Sequence, residues 1–277
     1  MGRNSILCPG CRKLISRDEE ACPHCGLKRP GRRLANPLAR WSATPAEIVK
    51  PLIAVNAAFY LFTLLLGPIN FHGFGNPLSF LAPDNRALLL VGATGSVPVF
   101  QLHRWWTLVS ASFLHGSLLH LLFNMVALNY LGRISADIFG LYRFLLIYLL
   151  SGVAGFMASV LAGVPLTIGA SAAICGLIGA LLFYGKNRGG EFGRLVVEQV
   201  RGWIIGLVLI GFFLPSINNW GHGGGLLAGL GLAALVGYRE KRPEGMLLRQ
   251  AAILVVMVNL AILIWAVIQV FLPWTGH

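Results

Sequence analysis

The sequence predicts an all-α polytopic membrane protein with a small cysteine-rich tail, and three observations carry that prediction. First, 56% of the 277 residues are hydrophobic and only 12% are charged, with a mean hydropathy of +0.72. A soluble domain carries about 25% charged residues, so a single-core soluble enzyme is excluded. Second, seven apolar runs lie near 50–66, 107–131, 142–163, 169–185, 202–217, 222–238 and 250–272. Each approaches the ~20 residues that cross a bilayer core as helix. Third, 20 of the 22 Lys and Arg fall before residue 51 or in the connections after the second, fourth and sixth runs. Only Arg86 and Arg104 fall on the opposite side. That split places the N-terminus in the cytoplasm and the C-terminus outside. The net charge of +12 is then a matter of topology, and no nucleic acid is expected as a partner.

In chain order, the tail comes first. It is polar and basic, unlike a signal peptide. Cys8-Pro9-Gly10-Cys11 and Cys22-Pro23-His24-Cys25 form two CxxC pairs ten residues apart. Two such knuckles can present four sulfurs tetrahedrally to one structural Zn²⁺. Disulfides are the competing reading, but a cytoplasmic tail sits in a reducing compartment. His24 reads as a spectator beside four thiols. Residues 1–27 are therefore expected to form a zinc ribbon. Residues 28–47, with Lys28, Arg29, Pro30, Arg32, Arg33, Pro37 and Arg40, are expected to be a flexible basic linker on anionic headgroups of the lipid bilayer. Between the first two runs, residues 67–106 read as a long Gly- and Pro-rich loop without obvious structure. It ends in Trp105-Trp106, which suits the outer leaflet interface.

Polar groups inside spans are costly and mark function by default. The second run contains His115, His120 and Asn124; the fourth opens Gly169-Ala170-Ser171; the sixth contains His222-Gly223-Gly224-Gly225. His120 and Asn124 are one helical turn apart and share a face. His115 is offset by roughly 140° from His120 on the same wheel, or else precedes the helix, and on either placement a different partner is expected for it. These three runs all descend from outside to inside, which brings His120, Asn124, Ser171 and His222 to a similar shallow depth. A hydroxyl, an imidazole and two donors at one depth are the parts of a serine hydrolase. Ser171 would be the nucleophile and His222 its general base. The Ser171 N–H, His120 and Asn124 would hold the oxyanion. No Asp or Glu falls at that depth, so the expected arrangement is a Ser–His dyad. Small residues at 169, 172, 173, 176 and 179 and at 223, 224, 225, 228 and 229 would let the two helices approach closely. Each feature also has a structural explanation, since serines in membrane helices often bond their own backbone and glycine faces recur in packed bundles.

These residues resemble the rhomboid family of intramembrane serine proteases. The likeness rests on the His-x4-His-x3-Asn run at His115, His120 and Asn124, on Gly169–Ser171, and on His222 through Gly225, and it spans roughly residues 48–238. It implies a six-helix core over 48–240, with residues 241–277 adding a connection and a seventh, C-terminal helix. It also implies no cofactor for catalysis, a structural role for His115, and single-span membrane proteins as substrates, cleaved near the outer face of what is expected to be a bacterial inner membrane. The sequence departs from the family pattern in three places. Ala172 follows the serine where glycine is usual, and its methyl is expected beside the oxyanion pocket. Cys175 stands where an aromatic residue often packs on the base, and Trp106-Thr107 stands where Trp-Arg is expected. The competing function is a catalytically weak or inactive relative that binds membrane clients. A transporter would need polar groups through both leaflets, and here they cluster in the outer half.

Overall fold

A computed structural model describes residues 5–8, 11, 13–31, 45–68, 79–214 and 217–272. Pro9 and Gly10, the linker positions Arg32, Arg33, Pro37 and Arg40, loop residues 69–78 and the end from Pro273 to His277 lie outside the described residues.

The tail forms a two-stranded antiparallel ribbon, β1 (Ser5–Leu7) and β2 (Leu14–Ser16), with Ile6 opposite Ile15. Ile15 packs inward with Cys8 and Cys22, flanked by Ile6, Cys11 and Leu27. The Arg29 N–H donates to the Glu20 carbonyl at 2.7 Å, so the ribbon's bonding continues past residue 27.

The rest is helical: α1 (Val49–Leu65), α2 (Asn85–Val91), α3 (Thr107–Ser110), α4 (Leu118–Phe139), α5 (Leu141–Leu161), α6 (Ser171–Arg188), α7 (Gly190–Phe213), α8 (Asn219–Val236) and α9 (Met246–Phe271). The chain is thus an all-α polytopic membrane protein with a small N-terminal ribbon. Among the described residues, Pro45–Leu65, α5, α7 and α9 are each long and apolar enough to cross a membrane alone. The bent pair Thr107–Phe113 and Leu118–Phe139 supplies a fifth crossing if counted together. The two remaining long helices, α6 and α8, have 18 residues each, many of them glycine or alanine. α6 is buried along most of its length, while α8 buries one small-residue face and leaves Leu227 and Leu235 exposed.

Three sequence expectations need correction. The run at 107–131 is not one helix, because the chain turns by 91° between Phe113 and Leu118. Ser117 is extended there and its hydroxyl accepts the His120 N–H at 3.1 Å, which starts α4 afresh. The loop at 67–106 is structured over its described part. Asp84 caps α2, Gly92 ends it with φ +109°, and Arg104 donates to the carbonyls of Leu89 and Leu90 at 2.8 and 3.2 Å while lying 4.7 Å over the Trp106 ring. The run at 202–217 overlaps the C-terminal half of a longer helix, Gly190–Phe213. α7 begins at Gly190 and so includes Arg194 and Arg201, which the sequence placed in a connection.

α8 lies between α5 and α6. A Cβ on Gly225 or Gly229 would overlap the carbonyl oxygens of Ala172 or Gly176, and one on Gly224 would sit 2.6 Å from the Ala158 methyl. Backbone therefore meets backbone along this seam. The opposite end is held by polar bonds. The buried Arg143 guanidinium donates to the carbonyls of Val236, Arg242 and Pro243 at 2.9, 2.9 and 3.1 Å and to that of Phe139 at 3.3 Å, closing the ends of α8 and α4. Glu244 accepts the N–H groups of Tyr142 and Arg143 at 2.9 and 3.0 Å, at the positive end of the α5 dipole.

Candidate active site

Gly169 turns the chain into α6 with φ +121°, a conformation open mainly to glycine. A Cβ there would also stand 2.7 Å from His120 Nε2. Its N–H donates to the Ala111 carbonyl at 2.9 Å, fixing the turn. Ser171 is the first residue of α6, so its N–H and the next two have no acceptor within the helix and point toward the pocket end.

α8 starts one turn before His222. The Asn218 side chain accepts the Gly221 N–H at 3.0 Å, and the His222 N–H donates to the Asn218 carbonyl at 3.2 Å. The seam of small residues then brings His222 Nε2 to 2.9 Å from Ser171 Oγ. His222 Nδ1 is buried and has no hydrogen-bond partner among the described residues. The pair is thus a two-member arrangement within them, with no carboxylate bonded to the far side of the ring.

His120 joins from α4. The Gly116 N–H points at its Nδ1 at 3.4 Å, which assigns the hydrogen to Nε2. Nε2 faces Gly169, two residues before the serine, where an added Cβ would stand 2.7 Å from it and 3.8 Å from Ser171 Oγ. Asn124, buried one turn on, donates one amide hydrogen to the His120 carbonyl at 2.9 Å. The second amide hydrogen remains.

Of the two placements open to His115, the structure takes the second: it precedes α4 rather than lying on it. Its fully buried ring meets the His120 ring edge-on, with centroids 5.0 Å apart, which corrects the expectation of a different partner. Ala172 is also placed differently from expectation. Its methyl is directed at Gly155 of α5, where an added Cβ would come within 2.8 Å, and so it fills the seam between α5 and α8. Gly155 supplies the room that the extra methyl needs. Cys175 is buried, at 1% exposure, one turn below Ser171.

Sequence reasoning passed over Asn218, Ser159 and Thr167. The Asn218 amide donates to the Ser159 hydroxyl at 2.7 Å and to the Thr167 hydroxyl at 2.8 Å. A capping signal was available, since Asn218 directly precedes α8; its distant partners left no local trace.

In the tail, the Sγ atoms of Cys8, Cys11, Cys22 and Cys25 lie within 4.8 Å of one another. The closest pairs are Cys8 with Cys25 at 3.6 Å and Cys11 with Cys22 at 3.7 Å. These are not disulfides. A tetrahedral Zn²⁺ with bonds of about 2.3 Å sets its sulfurs about 3.8 Å apart, so the cluster fits a zinc ribbon. Burial opposes ionisation of Cys22, but the N–H groups of His24 and Cys25 and the neighbouring thiols outweigh it and bring this thiol down to about 7. Burial pushes Cys25 up to about 12.

Residues 102–239 match the family model described as the rhomboid domain. Curated relatives include the rhomboid protease GluP of Bacillus subtilis (strain 168), 36% identical over 174 residues covering 63% of this chain and 34% of that protein. RHOMBOID-like protein 4 of Arabidopsis thaliana is 34% identical, over 58% of this chain and 41% of its own length. Rhomboid-like protease 3 of Toxoplasma gondii is 31% identical, over 58% and 62%. The chain therefore spans between about a third and just under two thirds of the length of these relatives. The domain match covers the helices that bring Ser171, His222, His120 and Asn124 together, so residues 102–239 of this chain form a rhomboid domain.

Proposed function

We propose that the chain is an intramembrane serine endopeptidase that cleaves membrane-protein substrates near the outer face with a Ser171–His222 dyad. The observation that carries this reading is the 2.9 Å separation of Ser171 Oγ and His222 Nε2 at the adjoining N-termini of α6 and α8. In this reading the Ser171 proton passes to His222 Nε2 while Oγ bonds to the scissile carbonyl carbon. The oxyanion so formed is held by the Ser171 N–H and His120 Nε2–H, with the spare Asn124 hydrogen completing the set. His222 then returns the proton to the leaving amine, leaving an acyl-serine. Water, deprotonated by the same imidazole, releases the carboxylate product. Substrates are single-span membrane proteins whose segment unwinds at the pocket. The relatives named as proteases support this chemistry.

The membrane placement belongs to the same reading: N-terminus in the cytoplasm, C-terminus outside, in a bacterial inner membrane, with one structural Zn²⁺ held by Cys8, Cys11, Cys22 and Cys25 and none used in catalysis. The four-thiol cluster and the charge asymmetry support it. Residues 48–240 act as the protease core, with residues 28–47 and 241–277 as linker and appended helix.

Purified full-length protein in active detergent should be labelled by a fluorophosphonate probe, and Ser171→Ala should abolish labelling. Failure of the wild type to label, with binding of single-span proteins retained, would instead favour a non-catalytic client-binding relative. Metal analysis of the same protein should find about one Zn per chain.

A further inference from the structure

We infer that Asn218 is a positioning residue for the base, holding the start of the His222 helix against two other parts of the bundle; this rests on the protease reading above. All the hydrogen-bonding capacity of its amide that the geometry displays is committed. Oδ1 accepts the Gly221 N–H at 3.0 Å, which caps α8 one residue before His222. Nδ2 donates one hydrogen to Ser159 on α5 at 2.7 Å and the other to Thr167 in the segment before α6 at 2.8 Å. Both acceptors are themselves anchored. The fully buried Ser159 hydroxyl donates to the Gly155 carbonyl at 2.9 Å. Thr167 exchanges two backbone bonds with Thr94, at 3.1 and 2.6 Å, and the Thr94 hydroxyl accepts that of Thr107 at 3.0 Å.

The consequence is geometric. Thr167 lies four residues before Ser171, so one amide ties the base's helix to the segment that delivers the nucleophile. The first turns of α8 meet their neighbours through backbone, since a Cβ on Gly224 would stand 2.6 Å from the Ala158 methyl and one on Gly225 would overlap the Ala172 carbonyl oxygen. Smooth glycine surfaces bring the helices close but interlock few side chains, and the Asn218 bonds fix the register of α8 along them. A displacement of about 1 Å in such a pair costs up to 100-fold in rate.

The test uses full-length protein in liposomes with a tagged single-span substrate, measuring kcat, KM, thermal unfolding and the fluorophosphonate labelling rate. Asn218→Ala should lower kcat and labelling roughly tenfold or more with KM unchanged. Thr167→Val, which leaves the helix cap in place, should lower them by a smaller factor, and Thr167→Ser, which restores the acceptor, should recover them. The inference is overturned if folded Asn218→Ala turns over like the wild type, or if Thr167→Val matches Thr167→Ser. Should Asn218→Ala fail to fold, the Thr167 pair decides the question alone. An unlabelled wild type overturns the protease reading itself and is told apart from either result.

Discussion

α8 and α9 are neighbours in sequence and both are apolar, yet they do opposite work. α9, Met246–Phe271, is dominated by Leu, Ile and Val, with a mean hydropathy of 2.8 over its best window and only 22% of that window buried. Its side chains face outward: Leu254 is 65% exposed and Ile264 61%. It packs on α5, and Val270 lies against the cluster around Leu88 and Val91 of α2. α8 is less apolar and is not among the helices able to span alone, because glycine has replaced bulk along most of its length. Yet it is wedged between α5 and α6 with backbone touching backbone. In a membrane, apolar bulk marks the face turned to lipid, while small residues mark where helices must meet. The helix that looks weakest as a span carries the imidazole.

Substitutions on the two helices should separate these roles. The largest effect is expected at the pair that the seam assembles: Ser171→Ala or His222→Ala should lower substrate cleavage by on the order of 10⁴-fold or more while leaving thermal unfolding near wild type. Equal losses in the single and double variants would show that the two act as one unit. His120→Ala should follow, with a loss of roughly 10²–10³-fold in kcat, the cost of one oxyanion donor. Gly229→Leu puts a side chain into the Gly176 carbonyl. It should destabilise the bundle by about 3 kcal/mol and lower the labelling rate of the folded fraction, since Ser171 and His222 ride on the parted helices. Leu254→Ala on α9 should change stability by less than about 0.5 kcal/mol and leave labelling unaltered. A large effect at Leu254 would mean that α9 is a packing element and would break the contrast.

Much of the site was legible because its signals are local. The four cysteines sit in two short pairs, and the Ser, His and Asn positions stand out as polar interruptions of apolar runs. Gly225 and Gly229 fall at helical spacing. Other parts left no such mark. Whether His115 lay on the helix or ahead of it could not be read locally, and the Ser117 cap that restarts the helix after it decides the matter. The methyl of Ala172 could be placed only once Gly155 of α5 was known to make room for it. Arg143 and Glu244 read as ordinary topological charges, although their bonds reach across about 100 residues to close three helix ends. Asn218 looked like any polar residue in a turn, with acceptors 51 and 59 residues away.

The sequence by itself determined that this chain lies in a membrane, which polar residues interrupt its apolar runs, and which helix faces are small. Those follow from transfer free energies and side-chain volumes, which belong to residues wherever they are placed. The tertiary structure alone decided that α4 starts at Leu118, that α8 enters between α5 and α6, and that Ser171 Oγ stands 2.9 Å from His222 Nε2. Those are distances between segments far apart in the chain, fixed only when the seams of small residues close and the long-range hydrogen bonds form.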